Sequence, residues 1–259
     1  MRGGCVRKVR RARRPALKAK SRVDDLLVAR GLAATRDEAA RIVMAGDVSV
    51  SGRRIEKPGE QVALDVELRV RAAAKHVSRG GGKLEAALDG FAIAVAGRVC
   101  LDAGCSTGGF TDCLLQRGAA RVYAVDVGYG QLAWSLRNDP RVVLYERTNV
   151  RSLRREDLDP APTLVVADLS FVSLRSVLPA LVELCARPGE LVVLVKPQFE
   201  LPRALVSGGV VADPALRARA VEEVAAAARD LGLDVRGPIE SPVPGAEGNR
   251  ELFLALVCF

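Results

Sequence analysis

The apolar residues of this chain recur at two periods, and each change of period marks out a part of it. Ala39, Ile42, Val43 and Met44 lie three to four residues apart, which predicts one face of a helix. Thr35-Arg-Asp-Glu38 precedes them as a capping box, and Gly46 can close the helix in the left-handed conformation. Val48 and Val50 then alternate into a Ser51-Gly52 turn, and Lys57-Pro-Gly59 makes another. Val62, Leu64, Val66, Leu68 and Val70 alternate strictly, predicting one strand. Together these segments read as a small helix-helix-strand unit.

After a stretch from Arg71 to Gly82 that reads as a linker, the spacing becomes helical again at Leu84, Ala87, Leu88 and Phe91, with Lys83 just before that helix. Short apolar runs follow at Val99–Ala103, Tyr123–Val125, Val142–Tyr145, Thr163–Ala167, Leu191–Val195 and Leu252–Val257, with helical patterns between them. Alternating strand and helix units predict a mostly parallel sheet covered on both faces. In such a sheet, ligands sit at the carboxyl ends of the strands.

The run Val99-Cys-Leu-Asp-Ala-Gly-Cys-Ser-Thr-Gly-Gly-Phe110 carries the most chemistry, because an apolar strand feeds a glycine-rich turn that opens a helix. Gly104, Gly108 and Gly109 suggest a backbone that approaches a ligand where a Cβ would clash. Asp126 ends the next strand 22 residues after Gly104, the spacing at which a carboxylate meets the ribose hydroxyls of a bound nucleoside. The dinucleotide pattern G-x-G-x-x-G is not matched, and no Gly-Lys-Ser/Thr closes a phosphate loop. Gly104-Cys-Ser-Thr-Gly108 does match a nucleophile elbow, but that motif needs a histidine downstream, and the only one, His76, lies upstream. The remaining reading is S-adenosylmethionine, a nucleoside cofactor without phosphate; a packed turn with no ligand is the bland alternative.

Composition narrows this further. Half the residues are hydrophobic (49%), enough for a substantial core, and no apolar run approaches the ~18 residues of a membrane helix. Six cysteines show no C-x-x-C pair, which predicts buried thiols in a reducing compartment, and one histidine argues against zinc. The net charge of +8 is concentrated at one end: residues 1–22 hold ten Lys or Arg and no acid, leaving 29 bases against 31 acids in the rest. Such an arm reads as an RNA-binding extension, a solvated leader or an Arg-rich transit peptide.

Two strands end in charged residues: Asp168 follows Leu164-Val-Val-Ala167, and Lys196 follows Leu191-Val-Val-Leu-Val195. Lys83 and Glu251 are further candidates. Lysine beside lysine is costly unless carboxylates intervene, and such crowding is one way to poise a base.

Residues 22–68 resemble the small RNA-binding domain first known from a ribosomal small-subunit protein. The matching runs are Arg22-Val-Asp-Asp-Leu26, Gly31-Leu-Ala, Thr35-Arg-Asp-Glu-Ala39, Gly46-Asp-Val-Ser-Val50, Gly52 and Lys57-Pro58. The resemblance implies a basic face for structured RNA, with Arg22, Arg36, Arg41, Arg53, Arg54 and Lys57 as contacts. Residues 76–259 resemble the FtsJ-like ribose methyltransferases, and the chain from Arg22 onward is similar to the TlyA-type rRNA 2′-O-methyltransferases. This rests on Ser78-Arg-Gly, Lys83-Leu, Leu101-Asp-Ala-Gly-Cys-Ser-Thr-Gly-Gly-Phe-Thr111, Asp126-Val-Gly-Tyr-Gly-Gln-Leu132, Arg147-Thr-Asn149, Ala167-Asp-Leu-Ser-Phe-Val-Ser173, Val195-Lys-Pro-Gln-Phe-Glu200, Gly208-Gly-Val-Val211, Gly248-Asn and Glu251.

The resemblance implies a Rossmann-like α/β methyltransferase domain (83–259), a linker (69–82), a small α+β RNA-binding domain (22–68) and a disordered basic tail (1–21). It implies a catalytic set of Lys83, Asp168, Lys196 and Glu251. The S-adenosylmethionine site would comprise Asp102, Gly104, Ser106, Thr107, Gly108, Gly109, Phe110, Asp126, Val127, Asn149 and Asp168, with Asp102 ordering the loop or near the methionine amine and Asn149 near adenine. The expected activity is 2′-O-methylation of cytidine ribose in rRNA of the small or large ribosomal subunit, in the cytoplasm, with no metal and no membrane. Lys75-His76-Val77, where relatives carry an aromatic residue, and the segment after Glu200 depart from the family pattern. The competing readings are an rRNA-binding assembly factor with an inactive methyltransferase fold, a pseudouridine synthase with the same RNA module, and the haemolysin-like activity named for some relatives.

Overall fold

The computed structural model describes residues 19–71 and 75–259. The chain divides into two compact units, one ending at Ala73 and the other spanning Ala74–Phe259. Cys5 and most of the basic arm lie outside the described residues.

In the first unit, β1 (Lys20–Arg22) runs directly into α1 (Val23–Ala29), followed by α2 (Arg36–Met44). The Thr35 hydroxyl accepts the amide of Glu38 at 3.2 Å, while the Glu38 carboxylate reaches the amide of Ala34 at 2.7 Å, one residue upstream of the usual capping-box position. Gly46 does close the helix at φ +77°. β2 (Val48–Val50) and β3 (Arg53–Arg54) form a hairpin through Ser51 and Gly52, whose φ values of 48° and 83° fit a type I′ turn.

The alternating run Val62–Val70 is two strands, β4 (Gln61–Ala63) and β5 (Leu68–Val70), in different sheets: β4 pairs with β1, and β5 with β2. The alternation survives the intervening turn because Val62, Val66, Leu68 and Val70 face one core with Val23, Leu27, Val43 and Ile55, whereas Leu64 at the turn is exposed. The same pairing corrects the tail boundary, since Lys20 and Ser21 are ordered opposite Ala63 and Val62.

The second unit runs α3 (Arg79–Phe91), β6 (Val99–Ala103), α4 (Gly109–Gln116), β7 (Arg121–Val125), α5 (Trp134–Arg137), β8 (Val142–Tyr145), β9 (Leu164–Ala167), α6 (Leu178–Leu184), β10 (Gly189–Val195), α7 (Pro197–Glu200), α8 (Pro214–Asp230), β11 (Asp234–Glu240) and β12 (Leu252–Cys258). The seven strands form one Rossmann-like sheet in the order β11-β12-β10-β9-β6-β7-β8. The five from β10 to β8 are parallel, and β12 and β11 add antiparallel. Residues alternate between two cores: Leu101 and Ala103 face one with Leu178, Leu181 and Val224, and Cys100 faces the other with Leu84, Leu88, Phe110 and Leu114. Burying each such Leu or Phe is worth about 1.5–3 kcal/mol, so helices on both faces are what hold the central strands. The chain winds outward from β6 in both directions, which makes the β6–β9 crevice the switch point where such sheets bind ligands.

Strand β11 gives no apolar signal in the sequence because it is an edge strand with Gly237-Pro238 in its middle. Gly237 has φ +106°, and the pairing with β12 shifts register there, as expected where proline removes a ladder donor. The expected linker is also shorter than it reads. Val70 belongs to β5, and Arg79-Gly-Gly-Gly82 forms the first turn of α3, so Lys83 lies inside that helix. Of these glycines, Gly81 is required by close packing: a Cβ there would come within 2.2 Å of the His76 ring. The five described cysteines are all buried thiols.

Candidate active site

Parallel pairing brings the carboxyl ends of β6, β7, β9 and β10 to one edge of the sheet, and with them Asp102, Asp126, Asp168 and Lys196. β12 runs the other way, with Leu252 opposite Val195, so its start also reaches that edge and places Glu251 near Lys196.

Two adjoining cavities lie there. One, of about 410 Å³, is lined by Asp126, Val127, Gln131, Asn149, Val150 and Phe171, among others; a second, of about 220 Å³, by Ser78, Arg79, Lys83, Thr107, Gly109 and Phe110. They share Gly104, Ser106 and Asp168, giving one elongated space with an apolar-walled end and a polar end. This suits a nucleoside joined to an amino acid. Asp126 accepts the amides of Ser106 at 2.8 Å and Gly128 at 2.7 Å, one on each carboxylate oxygen. Each oxygen keeps a further lone pair, so the side chain can order both loops and still receive two hydroxyls. Asn149 is exposed, its side-chain oxygen accepting the amide of Arg151 at 3.1 Å. Phe110 is largely core, its ring packed on Phe253 at 6.2 Å.

The glycines serve the protein's own packing. A Cβ on Gly104 would lie 2.6 Å from the Asp168 carbonyl, one on Gly108 2.3 Å from Leu136, and one on Gly109 2.3 Å from the Ser78 hydroxyl. Gly104 and Gly108 also have φ of +87° and +97°. The loop thus fits tightly against β9, α5 and the start of α3, and Gly104 and Gly109 also line the cavities.

Asp102 is fully buried and accepts a hydrogen bond from the Thr111 hydroxyl at 2.6 Å, so it anchors the first turn of α4 beneath the loop. Burial pushes its carboxyl up to about 7. Between pH 3.8 and about 7 the folded chain holds a proton that the unfolded chain has released, so this group makes stability fall as pH rises through that window. Asp102→Asn should remove that slope, changing the wild-type-minus-variant stability difference by up to roughly 4 kcal/mol across it. Urea unfolding of both proteins at the two ends of the window checks this; parallel pH profiles would contradict it.

The four expected catalytic residues form two ion pairs. Lys196 Nζ lies 2.7 Å from Asp168 Oδ1, and Lys83 Nζ lies 2.5 Å from Glu251 Oε2. Lys83, Lys196 and Glu251 line a third cavity, of about 850 Å³, together with Ser170, Phe171 and Phe199. Ser106 has no histidine near it, since His76 is buried between Glu85 and Asp112, which removes the nucleophile-elbow reading.

Residues 76–258 match the FtsJ-like methyltransferase family model, and residues 21–68 match the S4 domain. A 16S/23S rRNA (cytidine-2′-O)-methyltransferase, TlyA, of Mycobacterium tuberculosis is 56% identical over 240 residues, covering 92% of this chain and 90% of that protein. The chain is a TlyA-type member of the FtsJ-like methyltransferase family. S-adenosylmethionine is accordingly its methyl donor. The rRNA methyltransferase candidate YqxC of Bacillus subtilis is 46% identical over 92% of this chain and 85% of its own. A solved structure from Streptococcus thermophilus described as a hemolysin superposes with a TM-score of 0.71 at 43% identity, covering 92% of this chain and 88% of its own. Among the described residues of the present methyltransferase, no helix is long and apolar enough to cross a membrane.

In its S4 domain the six basic candidates differ in their surroundings. Arg22 grips Asp24 through two bonds of 2.9 and 2.7 Å, and Arg36 lies 3.4 Å from Asp24 and 3.3 Å from Asp25. The Arg22 guanidinium holds the Asp24 carboxyl down at about 2. Arg53 pairs with Glu60, and Arg54 lies over Gly46 with a 3.4 Å bond to the Ala45 carbonyl. Arg41 and Lys57 are exposed. Around the methyltransferase site, Ser78, Arg79, Gln131, Ser170 and Phe171 line the cavities without having been singled out from sequence. Each lies in or beside a motif run, but only the fold shows which members of a run face the space.

Proposed function

We propose that this chain methylates the 2′ oxygen of cytidine ribose in ribosomal RNA, with Lys83, Asp168, Lys196 and Glu251 as its catalytic set. The observation that carries the reading is the pairing of two lysines with two carboxylates where the large cavity, lined by Lys83, Lys196 and Glu251, meets the nucleoside-shaped space, lined by Asp168. S-adenosylmethionine supplies a methyl group on a cationic sulfur, already activated for displacement. Asp126 would hold its ribose, and the Ser78–Gly80 and Ser106–Gly109 segments its amino-acid end. Lys196 accepts the proton of the 2′ hydroxyl as the oxygen attacks the methyl carbon in line and the carbon–sulfur bond breaks. Asp168 holds the lysine in place, and Lys83 with Glu251 positions the ribose. Catalysis then consists of positioning and proton transfer.

The S4 domain would grip structured rRNA, which places the working enzyme on ribosomal subunits in the cytoplasm. Arg41, Arg54 and Lys57 are the contacts least engaged with acids, and Arg22, Arg36 and Arg53 are held in fixed geometry by theirs. The basic arm would add phosphate contacts. The test is to incubate the purified protein and S-adenosylmethionine with unmodified ribosomal subunits and map ribose methylation. The expected product is a 2′-O-methylcytidine; subunits left unmodified, though bound, would favour the inactive assembly factor.

A further inference from the structure

We propose that Ser170 is a positioning residue for Lys196, fixing the direction of the lone pair that takes the ribose proton. The inference rests on the assignment of Lys196 as the base. Lys196 Nζ donates to the Ser170 hydroxyl at 2.8 Å and lies 2.7 Å from Asp168 Oδ1. A neutral amine has two N–H bonds and one lone pair, arranged tetrahedrally with its carbon. If only Asp168 held the amine, the lone pair could occupy either of two remaining positions, and in one of them an N–H would face the substrate hydroxyl. With one N–H donated to Ser170 and the amine drawn to the Asp168 carboxylate 2.7 Å away, the position left facing the substrate is the one for the lone pair. The lone pair there is free to accept the 2′ hydroxyl proton, which makes the amine an ammonium.

The loop that carries Ser170 is built to hold this geometry. It leaves β9 at Asp168 and is tied at its far end by Glu200, whose buried carboxylate accepts the amide of Leu174 at 2.8 Å and the hydroxyl of Ser173. Arg175 returns a bond to the Glu200 carbonyl at 2.9 Å. α7 spans one turn from the residue after Lys196 to Glu200, so a single short helix positions both the base and the anchor of its partner's loop. Ser170 also lines both the larger nucleoside cavity and the cavity of Lys83, Lys196 and Glu251, placing it at the boundary between methyl donor and acceptor. Its side chain is exposed, so it can be changed without disturbing the core.

Methylation kinetics on ribosomal subunits should separate this role from a structural one. Ser170→Ala is expected to lower kcat roughly 10- to 100-fold, the scale of a misplaced reacting group, with KM for the subunit and Kd for S-adenosylmethionine changed less than about threefold. Ser170→Thr, which keeps the hydroxyl, should recover most of the lost kcat. Wild-type kcat in Ser170→Ala, or no recovery in a folded Ser170→Thr variant, would overturn the proposal. A loss of cofactor affinity that matches the loss of rate would also overturn it, assigning Ser170 to the cofactor instead. Lys196→Ala is the control: inactive there but active in Ser170→Ala, this inference alone fails, whereas an active Lys196→Ala removes the base on which it rests.

Discussion

Lys196→Ala should lower methyl transfer to ribosomal RNA by at least about 100-fold, the scale of removing a positioned base, while S-adenosylmethionine still binds with near wild-type affinity. The split follows from where the side chain lies. Lys196 lines the large cavity with Lys83 and Glu251 and neither of the two that make up the nucleoside space. Asp168 lines both of the latter, so Asp168→Ala should lose activity and part of its cofactor affinity together. Calorimetry with the cofactor and single-turnover methylation of subunits, run on both variants, check the contrast. Lys196→Ala with wild-type turnover would exclude it as the base, and equal cofactor loss in the two variants would mean the cavities are not divided in this way.

Lys83→Ala should destabilise the fold by about 3 to 5 kcal/mol, the cost of stripping a buried carboxylate of its partner. Glu251 is 2% exposed and Lys83 11%, so although the pair borders the large cavity, water solvates the orphaned carboxylate poorly. Removing both charges with groups of similar volume, as in Lys83→Met with Glu251→Leu, should restore most of the stability, because a buried pair contributes little net energy over a packed apolar pair. It should not restore methylation. Urea midpoints for the single and double variants test the first claim and methylation of subunits the second; a Lys83→Ala midpoint equal to wild type would show that Glu251 finds another partner. Stability that returns without activity would mean that the pair is kept for the reaction, not the fold.

The elements with strong apolar patterns were legible in the sequence. The parallel strands of the core are buried on both faces, so continuous runs such as Leu191–Val195 identify them without tertiary information. The glycine loop, Asp126 at the end of β7 and the α2 cap were readable for a similar reason, since turn and cap chemistry depends on residues close in sequence. Edge strand β11 was not, because with its sides largely in solvent little constrains its residue types. The alternation from Val62 to Val70 misled because burial on a shared core sets the period, while hydrogen-bond partners decide whether a run is one strand or two.

The sequence by itself determined which residues carry charge at strand ends, which segments enter the core and that a nucleoside cofactor fits the loop. Only the tertiary structure decided the pairing of those charges. Lys83 and Glu251 are 168 residues apart in the chain, and they meet because β12 enters antiparallel beside β10 while α3 packs against the opening of α4. It also showed that the glycines of the loop pack closely against Asp168, Leu136 and Ser78. Local chemistry is set by neighbours in sequence, whereas a site built where several strands end depends on sheet order and strand direction, and those are settled by which faces can be buried together.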